Sequence, residues 1–139
     1  MPVISTISAY QTSAEQFFGR IRAAGADLVL DVRLKNESQL CGFTKRTDLA
    51  YFIPLICGAD YVWEPRLAPD PTLLERYLKH WIPWEEYASE YRAAMLERDA
   101  VGQFRALWGG RASVCLIGTA TDRRRSHSEV LAELLACGG

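Results

Sequence analysis

At 139 residues the chain is long enough for one domain with a real core and too short for two. Sixteen basic and seventeen acidic side chains leave a formal charge of −1, so no global basic field points to nucleic acid. Hydrophobic residues make up 49% of the chain, yet no apolar run approaches the roughly 20 residues that span a bilayer, so no membrane partner is expected.

Val3 to Ser8 is a short β-branched run and predicts a first strand. Thr12 or Ser13 caps the helix that follows, where Phe17, Phe18, Ile21 and Ala24 recur at helical spacing and Gly25 supplies the stop. DLVLDVR, Asp27 to Arg33, is a nearly continuous apolar strand of the kind covered on both faces. Lys35 to Thr44 is polar, interrupted by Gly42, and reads as a loop. From Thr47-Asp48 to Cys57 the residues Leu49, Phe52, Ile53 and Ile56 share one helical face, and Gly58 ends it. Pro54 implies a kink there or a later start.

Asp60 to about Glu64 is a third strand, after which Pro65, Pro69 and Pro71 make a rigid loop. Thr72 to Trp81 is a short helix. Pro83 suits the first turn of the next, whose stripe of Trp84, Tyr87, Ala88, Tyr91, Ala94 and Met95 reads as core. Gly102 is expected to break the pattern before Phe104 to Trp108. Ala112 to Gly118, ASVCLIG, is a fourth strand, and Ser126 to Ala136 a final helix.

This alternation implies one α/β domain over residues 1–139, with a mostly parallel sheet of about four strands and helices on both faces. DLVLDVR and ASVCLIG are expected to run parallel in that sheet. Cys41, Cys57, Cys115 and Cys137 include no CxxC pair, and only two histidines accompany them, so neither zinc nor a disulfide is expected. Nothing calls for a cofactor. MPVISTISAY lacks the basic start and long apolar core of a signal peptide, and buried thiols suit a reducing compartment; a cytoplasmic domain is the expectation.

In open parallel sheets ligands bind beyond the carboxyl ends of the strands. Arg33, Arg66 and the run Arg123-Arg124-Arg125 all fall on that edge, and His127 stands in the first turn of the last helix. Arginine forks match phosphate or carboxylate oxygens, and unpaired N–H groups at a helix start favour an anion. Thr119, Thr121 and Ser126 add hydroxyls, and Asp31 orients Arg33. Ser126 with Glu129 is also a capping box, which by itself accounts for both residues. The anion reading requires Arg33 and His127 to face one cavity, and the capping box requires the Ser126 side chain to serve the Glu129 N–H.

On these residues the chain resembles the domain of unknown function 488 family. The likeness runs through Ser8-Ala9-Tyr10, then Asp31-Val32-Arg33, Gly42-Phe43, Tyr61-Val62 and the helix WEEYASEYRAAML, and covers nearly the whole chain. Gly118-Thr119-Ala120 stands where the family pattern has Cys-Ala-Glu, and Ser126-His127-Ser128 where it has Cys-His-Arg. Both motif cysteines are therefore absent and only His127 remains. The resemblance implies an α/β fold and a pocket at this edge; it implies no reaction.

Three functions stay open from the residues. A small phosphate-bearing anion is favoured over nucleic acid by the near-zero net charge. An enzyme would use His127 as general base with Cys41, Ser126 or Ser128 as nucleophile. A protein-interaction domain that has lost its chemistry would show an exposed apolar patch, with a homodimer as one outcome.

Overall fold

The structure, a computed structural model, describes residues 1–137. Four strands, β1 (Val3–Ser8), β2 (Leu28–Asp31), β3 (Asp60–Trp63) and β4 (Ser113–Gly118), form one sheet in the order β1-β4-β2-β3. All three pairings are parallel, so the two most apolar strands, β2 and β4, lie side by side at its centre. Every residue of both strands is buried, as continuous apolar runs require.

Helices cover both faces. α1 (Ala14–Ala23) and α2 (Arg46–Phe52) lie on one, where Phe17, Ile21, Leu49 and Ile53 pack on Ile7, Val29, Cys115 and Ile117. α3 (Pro71–Leu78), α4 (Trp84–Glu97), α5 (Ala100–Trp108) and α6 (His127–Cys137) lie on the other, against Leu28, Leu30, Val32, Val114 and Leu116. Tyr87, Tyr91 and Met95 of the α4 stripe are buried there, at about 1.5–3 kcal/mol for each large apolar side chain removed from water.

Local chemistry sets the ends. Ser13 caps α1 through a full capping box with Gln16. Gly25 (φ 64°) and Gly58 (φ 65°) supply the left-handed stops that a side chain would resist. Three departures from the sequence expectations have physical causes. The helix after Arg46 continues through Pro54 as a π-helical turn, Ile53–Cys57, because proline has no N–H for the ordinary i→i−4 bond. Gly102 lies inside α5 instead of breaking it, since the Asp99 carboxylate crosses the space that a Cβ would fill, 2.4 Å away. The loop from Lys35 contains a 3-10 segment, Gln39–Thr44, started by the Ser38 hydroxyl accepting from the Leu40 N–H.

Candidate functional site

The alternation of side chains along β2 decides what the strand end can do. Leu28, Leu30 and Val32 point to the face of α3–α6, which leaves Val29, Asp31 and Arg33 on the face of α1 and α2. Asp31 and Arg33 are thus neighbours on one side and closed to solvent, at 0% and 1% exposure. Asp31 accepts from Arg33 Nε at 2.8 Å, Arg33 Nη2 at 2.7 Å and the Arg33 backbone N–H at 3.2 Å. It also accepts from Asn36 Nδ2 at 3.1 Å and the Tyr61 hydroxyl at 2.5 Å. Arg33 Nη2 donates a second bond to the Thr44 carbonyl, tying the 3-10 segment down. Burial works against the Arg33 cation, but the bonds to Asp31 override it and raise its pKa overall. Burial and the Asp31 charge together push the Tyr61 phenol far above its ordinary value, so it stays a donor. Arg33 Nη1 and Asn36 Oδ1 are buried without a protein partner.

The same device recurs one strand over. Glu64, just after β3, accepts from the backbone N–H, Nε and Nη2 of Arg66, two residues on. Asp31 and Arg33 meet because i and i+2 on an extended chain share a face, whereas Glu64 meets Arg66 as the N-cap of the 3-10 turn Pro65–Leu67; each pair closes on itself. The Arg66 bonds hold the Glu64 carboxylate below its usual range.

His127 takes the opposite face. Its Nε2 lies 2.7 Å from the Val32 carbonyl, which can only accept, so Nε2 carries the proton and Nδ1 is bare. Nδ1 meets Ser126 Oγ at 3.5 Å, and the ring stands edge-on to Tyr91 at 5.2 Å. Burial lowers the His127 pKa to about 4, against a smaller upward pull from the Val32 carbonyl and the Asp31 charge. The ring is neutral at neutral pH.

Ser126 caps in an unexpected way. Its Oγ accepts from Thr119 N at 3.1 Å and from Ser128 N and Oγ at 3.4 and 3.2 Å, but not from the Glu129 N–H, which reaches the Ser126 carbonyl instead. Glu129 completes its half of the box by accepting from Ser126 N at 3.2 Å. Ser126 therefore ties the start of α6 to the end of β4. Gly118 makes room for this: a Cβ there would lie 2.2 Å from Ser128 Oγ and 2.7 Å from Ser126 Oγ. Gly118→Ala is expected to cost about 1–3 kcal/mol through overpacking, read as a lower urea midpoint. An unchanged midpoint would show that the two serines yield freely.

What remains open at this edge is the turn after β4. Thr121 and Arg124 exchange backbone bonds across Asp122-Arg123, and Thr121 Oγ1 accepts from Arg123 N. Gln11 holds the turn from β1, donating to Asp122 Oδ1 at 2.9 Å and accepting from Asp122 N at 2.7 Å. Arg125 is paired with Glu129 and lies on the Trp84 ring. Among the described residues neither Arg123 nor Arg124 has an acidic partner. Arg123 is exposed; Arg124 is half-buried, and its charge favours the ionised forms of Tyr77 and Tyr87 against the burial that opposes them.

The residues singled out from sequence thus separate. Arg33 and His127 do not face a common cavity, because strand parity and the origin of α6 put them on opposite faces, and both are closed to solvent. Cys41, in the 3-10 segment held by Arg33, lies on the Arg33 side and is not brought to His127. Ser126 is buried as a cap, and Arg66 stands two strands from β4, paired with Glu64. Thr119 and Thr121 remain half-exposed beside the arginine turn. Gln11 and the half-buried setting of Arg124 carried no signal in the sequence beyond the arginine run itself.

The four cysteines are free, and no described cluster of His, Cys, Asp and Glu is placed to hold a metal ion. No helix is long and apolar enough to cross a membrane among the described residues. No curated protein and no solved structure matches the chain significantly. A family model, described as domain of unknown function DUF488, matches residues 13–135, through the Asp31-Val32-Arg33 strand end, the buried Tyr91 and the His127 turn. With nearly its whole length covered, the chain belongs to the domain of unknown function DUF488 family.

Proposed function

We propose that this domain binds a small phosphate-bearing anion over the turn Thr121–Arg124, at the carboxyl edge of the sheet. The observation that carries the reading is the pair Arg123 and Arg124: other arginines on this edge are spent on acids, and these two have none. β1 and β4 are adjacent and send their connections to opposite faces, the arrangement that opens a crevice in parallel sheets. Thr119 and Thr121 stand half-exposed beside the turn, and the Gln11–Asp122 bonds hold it still, which lowers the ordering cost of binding. Arg33, Asp31, Ser126 and His127 act here as the scaffold beneath the turn and not as ligand contacts.

Calorimetric titration with inorganic phosphate, pyrophosphate and a nucleoside triphosphate tests it. Saturable binding is expected, weakened roughly tenfold or more by Arg124→Ala, as for loss of a charge-assisted bond. The affinity should change far less with salt than that of a single-stranded oligonucleotide binder, whose log K falls steeply with log salt. Absence of saturable binding to all three probes, or indifference to Arg124→Ala, defeats the proposal.

A further inference from the structure

On the α1/α2 side of the molecule an open apolar groove of about 520 Å³ runs between α1 and the end of α2, floored by Phe18, Phe43, Phe52 and Ile56. Beside it Tyr51 and Leu55, four residues apart, stand 65% and 67% exposed and form a ridge. A groove next to a ridge, both apolar, is the pattern of a surface that fits its own copy.

Two features of α1 decide the occupant. Gly19 is exposed at mid-helix, where glycine weakens a helix, and a Cβ built there meets nothing within 4 Å. Internal packing thus gives no reason for glycine; close approach of a second backbone does. Glu15 and Arg22 also line the groove, one on each side of Gly19, and neither has an ion-pair partner among the described residues. They lie about 6 and 4.5 Å from Gly19 along the helix axis. A two-fold axis beside Gly19 runs α1 antiparallel to its copy and sets each Glu15 against the other copy's Arg22. A parallel alignment would set like charges together.

We propose that this face is the interface of a homodimer, with the two α1 helices crossing antiparallel at Gly19 and the Tyr51–Leu55 ridge of each copy entering the groove of the other. Symmetry makes each charge count twice, so a single reversal replaces two attractions by two repulsions.

Sedimentation equilibrium of the full chain, from low to high micromolar concentration at low salt, tests it. The native sequence should dimerise, and Gly19→Arg should be monomeric while its far-ultraviolet spectrum stays native, since the monomer has open space at that position. Glu15→Arg and Arg22→Glu should each raise the dimer Kd roughly tenfold or more, and the two together should return it to within about threefold. A native chain that stays monomeric throughout overturns the proposal and leaves the groove to a different partner. A dimer indifferent to Gly19→Arg, or single reversals that the exchange does not repair, overturns it equally.

Discussion

Asp31→Ala should cost about 3–5 kcal/mol of folding stability, the largest effect of any single change at this edge, because it strands a cation inside the protein. Arg33 is 1% exposed and remains charged once its acid is gone, with only the Thr44 carbonyl as acceptor. Asn36 and Tyr61 lose their common acceptor at the same stroke. Asp31→Asn should fall nearly as far, since it keeps the shape and removes the charge. The informative variant is the double change Asp31→Leu with Arg33→Met, which removes both charges and should recover much of the loss. Urea unfolding of the four proteins measures this. A single Asp31 variant within about 1 kcal/mol of the native chain would mean that water reaches the pair and screens it.

His127 should make the protein acid-sensitive in a defined window. Folding lowers its pKa from 6.5 to about 4, so between those values the unfolded chain binds a proton that the native state refuses. Stability then rises with pH across the window; it is complete above pH 6.5 and is lost as pH falls towards 4, at about 1.4 kcal/mol per pH unit and about 3 kcal/mol in all. Other carboxylates whose pKa is lowered, such as Asp27 and Glu64, lose their own contributions on acidification. The comparison that isolates the ring is the native chain against His127→Gln, which retains a donor for the Val32 carbonyl and does not titrate. Native stability should fall by about 3 kcal/mol relative to that of the variant as pH falls from 7 to 4. Parallel curves would show that His127 is solvated in the folded state.

Much of this architecture is written locally. The continuous apolar runs of β2 and β4 announce burial on both faces, and buried parallel strands follow. Gly25 and Gly58 announce helix stops because only a left-handed residue turns the chain there. The Asp31-Val32-Arg33 spacing was also readable: i and i+2 on a strand share a face, so a salt bridge is the simplest fate of that pair. What sequence could not supply was the parity between elements. Nothing in RRRSHSE tells which face of β2 the next helix covers, and that one bit separates His127 from Arg33. Gly102 misled for a related reason, since its role depends on where the Asp99 carboxylate lies and not on helix propensity.

The strand order also governs how the molecule comes together. Among the described residues β1 pairs with β4 alone, and β4 follows it in sequence only after β2 and β3. β2 and β3 pair over a short span and can associate early, whereas β1 must wait for β4. Until β4 inserts, β1 has no ladder and β2 keeps a bare edge, the kind of edge that recruits foreign strands. Insertion of one strand closes both at once, so assembly is dominated by contacts distant in sequence, which slows folding more than it weakens the product. Amide protons of β1 and β4 should accordingly become protected together, in the step that buries β4.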